Sequence, residues 1–133
     1  MKRFLAIYTG SPAAHERAQW NQLDPDARRA REAKGIQAWI QWGETHAAAI
    51  VDQGTPIGKT KRTGPEGVTD IKNQIAGYVI VQAESHAAAA KLFDNHPHFS
   101  IFPGDSVENM EGLPLPAAAA ALACPYPAFF EDP

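Results

Sequence analysis

At 133 residues and 14.4 kDa, with 44% hydrophobic residues, the chain holds enough material for one domain around a single core, and a second domain does not fit. A formal net charge of −3 and an isoelectric point near 5.9 exclude a whole-molecule field that would recruit nucleic acid or an anionic membrane surface. Cys124 is the only cysteine, which excludes an intrachain disulfide and a cysteine-built zinc site and fits a reducing cytoplasm.

Residues 4–8, Phe-Leu-Ala-Ile-Tyr, are apolar at successive positions and predict a strand covered on both faces. Lys2 and Arg3 ahead of them imitate a signal peptide. The run is shorter than the roughly 7–15 apolar residues of a secretory signal, and no stretch approaches the ~20 of a membrane span. Gly10, Ser11 and Pro12 break the strand, and residues 13–23 hold a short helical turn around His15, Trp20 and Leu23. Asp24 followed by Pro25 reads as a helix start, an N-cap acceptor and then a proline at the first helical position. The spacing of Ile36, Trp39, Ile40, Gly43, Ala47 and Ile50 predicts one buried helix face and a helix that runs to about Val51, closed by Gln53 and Gly54.

Residues 55–63 are strand-like but poor in apolar groups, and Lys59, Lys61 and Arg62 assign them to a sheet edge. Gly64, Pro65, Glu66 and Gly67 form a turn, and residues 68–72 lead into a second doubly apolar strand at residues 75–81. Ser85 caps a helix that begins on His86 and an alanine run, and Asn95 and Pro97 end it. Pro103 and Gly104 supply a turn into a last strand at residues 106–110.

The order β-α-β-β-α-β predicts an α+β, ferredoxin-like fold with a four-stranded antiparallel sheet whose first and third strands are central. Two helices cover only one face of such a sheet. The apolar second face therefore calls for a homodimer, formed sheet to sheet. Residues 113–133 are a Pro/Ala-rich tail, in which Leu113, Leu115, Leu122, Tyr126, Phe129 and Phe130 are expected to dock on the domain or its partner.

The opening MKRFLAIY strand, the tryptophan-bearing first helix, the QGTPIG turn, the N-x-x-A-G-Y-x-x-V strand and the HPHF…PGDSVENM close resemble the YCII-related family. The resemblance covers residues 1–112. It implies a ferredoxin-like domain paired into a dimeric α/β barrel, and cofactor-independent lyase, isomerase or dehalogenase-like chemistry on small aromatic or lactone compounds. It also implies a histidine and an aspartate as acid/base groups. His15 stands about where the family histidine falls, whereas the TPIGKTKR turn carries no aspartate.

Among candidate groups, His96 and His98 can serve as general acid and base near neutral pH, or can bond the free carbonyls at a helix end. Trp42 and His46, four apart on the first helix, share a face and can either line a small-molecule cleft or form an amphipathic rim. Tyr78 and Lys59 can face the same space as ligand-binding groups, or be core and solvated charge respectively, and His15 after the first strand is a further ligand-binding candidate. Two histidines one residue apart lack a third ligand, so no metal is expected, and no cofactor is. The segment GKTKR is not a phosphate loop, because Gln53 stands where the first glycine would have to be. Two functions stay open: a cofactor-independent enzyme using histidine acid/base chemistry on a small carbonyl or aromatic compound, and a non-catalytic ligand-binding or structural homodimer. In the first, the cleft is bordered by Trp42, His46, Tyr78 and the turn that holds His96 and His98.

Overall fold

Phe4, Ala6 and Tyr8 alternate along the first strand with Leu5, Ile7 and Thr9, and only the first set is sealed from solvent. The computed structural model describes residues 1–114. In chain order its elements are β1 (Lys2–Thr9), α1 (Pro12–Arg17), a 3-10 turn (Trp20–Gln22), α2 (Pro25–Thr45), β2 (Ile50–Asp52), β3 (Thr60–Gly64), β4 (Gly67–Ile71), β5 (Ile75–Ala83), α3 (His86–Lys91), α4 (Pro97–Ser100) and β6 (Ser106–Glu111). The main sheet is antiparallel in the order β2-β5-β1-β6, so the two doubly apolar strands are central. This is an α+β fold of the ferredoxin-like kind.

The register sets Phe4 opposite Val81 and Ala6 opposite Val79, and these four, with Tyr8, Ala89 and Phe93, form the core under the helices. Burying a phenylalanine fully, as at Phe4, contributes roughly 1.5–3 kcal/mol. The opposite parity pairs Leu5 with Ile80 and Ile7 with Tyr78, and places Met110 beside Leu5 from β6. Among the described residues no helix lies over that second face. Leu5 and Met110 are exposed on it, while Ile7, Tyr78 and Ile80 are partly covered.

Helix starts follow the sequence closely. The Asp24 carboxylate accepts from the Ala27 N–H at 2.7 Å with Pro25 at the first helical position, and the Ser85 hydroxyl accepts from the Ala88 N–H at 3.1 Å.

Three expectations are corrected. First, α2 ends at Thr45 rather than near Val51, because Ile50 is drawn into pairing with Val81 and the intervening alanines turn the chain. Second, the buried face of α2 is not the isoleucine stripe. Ile36 and Ile40 are exposed, and Gly35, Trp39 and Trp42 make the packed face. Gly35 is a contact point, since a Cβ there would collide with the Phe102 ring. Third, the edge strand expected at residues 55–63 is divided. β2 and a single bridge from Pro56 to Gly77 complete the main sheet, while β3 pairs with β4 as a separate hairpin.

Leu113 is exposed, and Leu115, Leu122, Tyr126, Phe129 and Phe130 lie outside the described residues. Among the described residues no helix is long and apolar enough to cross a membrane.

Candidate functional site

Between the C-terminal half of α2, the start of β5 and the segment at residues 53–56 lies a cleft of about 700 Å³, a size that suits a small organic molecule. Strand parity delivers Tyr8 to it, because Tyr8 falls on the helix-covered face of β1 at the end where the strand stops. The Tyr8 ring meets Trp39 at 4.9 Å between centroids. Three residues on along α2, Trp42 is pinned by its indole Nε1–H, which donates to the Leu92 carbonyl at 2.7 Å. The facing wall is held close by Gly54, whose φ of 65° and contact with the Tyr78 carbonyl leave no room for a Cβ.

His98 also lines the cleft, and its tautomer is set by the fold. Its Nε2 lies 2.7 Å from the Thr9 carbonyl, and a carbonyl only accepts, so Nε2 carries the proton and Nδ1 keeps the lone pair. Burial pushes the ring's pKa down, opposed in part by the Thr9 hydrogen bond and the Asp105 charge. His98 is therefore a neutral imidazole at neutral pH. Gly104 makes this seat possible, since a Cβ at that position would strike the His98 ring.

His96 is sealed behind it. Its Nδ1 accepts the His98 backbone N–H at 3.0 Å, which makes His96 the N-cap of α4 with Pro97 at the first helical position. The expected role of His96 at the end of the preceding helix is corrected accordingly: it starts the next one. Its Nε2 has no hydrogen-bond partner among the described residues, and the ring stands edge-on to Trp39 at 4.5 Å and to Trp42 at 4.7 Å between centroids. Burial, then the charges of His98 and His46, push its pKa down to about 3. It is enclosed too completely to meet a ligand itself.

Of the remaining sequence candidates, His46 caps the C-terminus of α2 and lies tilted against Trp42 at 5.1 Å between centroids, outside the cleft lining. Tyr78 lines the cleft, though by register its side chain belongs with Ile7 on the other face of the sheet. Lys59 is exposed in the loop before β3, and His15 sits on α1 with its Nδ1 3.3 Å from the Ser11 carbonyl; neither lines the cleft. The structure thus gathers Trp42, Tyr78 and His98, sets His96 and His46 behind them, and leaves out Lys59 and His15.

Two groups were missed. Tyr8 reads in sequence as core, and Asp105 as part of a turn. Asp105 shares the Thr9 carbonyl with His98 through its own N–H at 2.9 Å, while hydrogen bonds from Ser11 and Arg17 hold its carboxyl below the ordinary range. The signal for Tyr8 was its parity with Phe4 and Ala6 just ahead of a strand-breaking glycine. No group of three or more metal-ligating side chains occurs among the described residues.

Fold and cleft together define a ferredoxin-like α+β protein with an aromatic pocket on the helix side of its sheet. No family model and no curated protein matches the sequence. Among solved structures the chain is similar to 5-chloro-2-hydroxyhydroquinone dehydrochlorinase from Burkholderia phenoliruptrix AC1100, solved in complex with 2,5-dihydroxybenzoquinone. The TM-score is 0.50 and the identity 15%, covering 84% of this chain and 93% of that one. At that identity the likeness shows the fold.

Proposed function

We propose that residues 1–112 form a YCII-related domain that pairs sheet to sheet as a cytoplasmic homodimer, and that it is a cofactor-independent enzyme moving a proton on a small aromatic or carbonyl compound. The observation that carries this reading is His98, neutral and fixed in one tautomer, in the lining of an aromatic-walled cleft that Tyr8 shares. A neutral imidazole with a free lone pair is a general base at neutral pH. Burial raises the Tyr8 pKa, so its phenol stays protonated and can donate a hydrogen bond to a substrate oxygen.

In the proposed step the His98 Nδ1 takes a proton from a carbon beside a carbonyl or from a ring hydroxyl, and the freed electron pair moves onto the ring or the carbonyl oxygen. When the pair returns, the proton is delivered to another atom, an isomerisation, or a leaving group such as chloride departs with the pair and the proton stays on His98 for release. Neither course needs an outside oxidant or reductant. The similar fold of a dehydrochlorinase solved with a planar quinone supports this direction. The apolar second face of the sheet, with Leu5, Ile7, Ile80 and Met110, supports the dimer.

The test is chloride release from 5-chloro-2-hydroxyhydroquinone together with ring NMR of His98. Wild-type protein is expected to release chloride, and His98→Ala to do so about 100-fold or more slowly. Because His98 is buried and bonded to Thr9, that replacement is also expected to lower stability by about 1–3 kcal/mol, in place of the near-neutral effect a turn residue would give. A His98 resonance unmoved by any ring compound overturns the enzyme reading. The second reading, a non-catalytic ligand-binding homodimer, is favoured by Asp105, whose carboxylate is paired with Arg17 instead of bonding the His98 ring. Tight binding of the same compound without chloride release would establish it.

A further inference from the structure

Resting on the cleft reading above, we infer that the ligand is an aromatic compound without an acid group, and that an ammonium-bearing ring is accepted where the matching carboxylate is turned away. Four features of the cleft act in the same direction. The one formal charge in its described lining is the carboxylate of Glu44. The lining draws on Trp39, Ile40, Trp42, Gly43 and Glu44 in the last two turns of the 21-residue α2, at the negative pole of the helix dipole. The Tyr8, Trp39 and Trp42 rings carry negative charge on their faces and attract cations. His98, the group that would otherwise anchor an anion, donates its one ring N–H, on Nε2, to the Thr9 carbonyl and offers a lone pair instead.

Cations elsewhere do not reverse the sign. Arg17 is paired with Asp105, Lys61 with Asp70 at 2.7 Å, and the Arg31 Nε donates to the Ile101 carbonyl at 3.0 Å with its guanidinium over the Trp20 ring. Lys59 and Arg62 are exposed and line no part of the cleft. The basic segment that could have served as a counter-ion for an anionic ligand is therefore away from the pocket. A carboxylate entering the cleft would leave water and meet a carboxylate, a helix C-terminus and aromatic rings.

The experiment uses three compounds that share a phenol ring and a two-carbon arm, tyramine, tyrosol and 4-hydroxyphenylacetate. Each is titrated into the full chain at pH 7 while the His98 ring and the Trp39 and Trp42 indole signals are followed by NMR. Tyramine and tyrosol are expected to shift these signals, and the acetate to bind about fivefold or more weakly than tyrosol, the effect of one unfavourable charge contact in a partly solvated site. Glu44→Gln, an exposed position, is expected to narrow the interval between amine and acetate. If the acetate binds as tightly as tyrosol, or if Glu44→Gln leaves the interval unchanged, the charge inference falls while the cleft reading stands. If no member of the series moves His98, both fall.

Discussion

β5 and β3 are both antiparallel strands of this chain, yet they are held for different reasons. β5 has a β-neighbour on either side and a helix layer over one face, and its Val79 and Val81 are sealed in the core. Among the described residues β3 has β4 alone, and the side chains of the two strands stand almost entirely exposed. An isolated hairpin is marginal in water. What specifies β3 and β4 is local: the Gly64-Pro65-Glu66-Gly67 turn, with Gly67 at a φ of 110°, and cross-strand pairs such as Lys61 with Asp70. The main sheet is a product of burial and the hairpin a product of turn chemistry.

The sharpest test of that contrast is Phe4→Ala against Val68→Thr. The first empties a fully buried site and is expected to destabilise the protein by about 3–5 kcal/mol in urea unfolding, while the second, on an exposed strand, should stay within about 0.5 kcal/mol. A comparable loss at Val68 would show that the hairpin is packed on something, and a second copy of the chain would be the first candidate. Gly54→Ala comes next. It forces a side chain into the left-handed region and against the Tyr78 carbonyl, and is expected to cost about 1–3 kcal/mol while opening the cleft wall.

A third prediction concerns acid. The folded-state pKa values of His96 and His98 lie below the ordinary 6.5, so as pH falls the unfolded chain takes up protons before the folded one does. Stability should therefore be full above about pH 6.5 and fall below it, for His96 down to about pH 3, by up to about 1.4 kcal/mol per pH unit for each histidine. His96→Asn keeps an N-cap acceptor and removes one titrating group, so the slope between pH 6.5 and 5 should become shallower. An unchanged slope would remove His96 from the account. The smallest effect is expected in the hairpin again, where Lys61→Ala breaks an exposed pair and should change stability by no more than about 1 kcal/mol.

The same contrast explains what could be read from the residues alone. The central strands were legible because apolar groups at successive positions leave few choices, and helix starts were legible because Asp24-Pro25 and Ser85 carry their own hydrogen-bond logic. The end of α2 was not, since Ala47, Ala48 and Ala49 are good helix formers and only pairing with the distant β5 overrides them. Nor was its packed face: Ile36 and Ile40 follow the helical spacing yet stay exposed, while Gly35 is where a Cβ would strike the Phe102 ring. The sequence sets Trp42 with His46 and His98 with His96 around one cleft, and it is Trp42 and His98 that line it, because topology turns His46 and His96 out of the lining. The place of His96 is hidden because Pro97 signals the end of one helix and equally the first position of the next.

One atom described above, the Thr9 carbonyl oxygen, has a consequence for stereochemistry. It receives both the His98 Nε2–H and the Asp105 N–H at the point where the β1 register shifts, and so leaves the imidazole a single nitrogen, Nδ1, to act as a base. A base with one working nitrogen returns a proton to the side from which it was removed. On the proposed reading, transfer in this cleft would be suprafacial, and a deuterium label lifted from one prochiral position should reappear on the same face of the product, diluted only as far as water reaches His98.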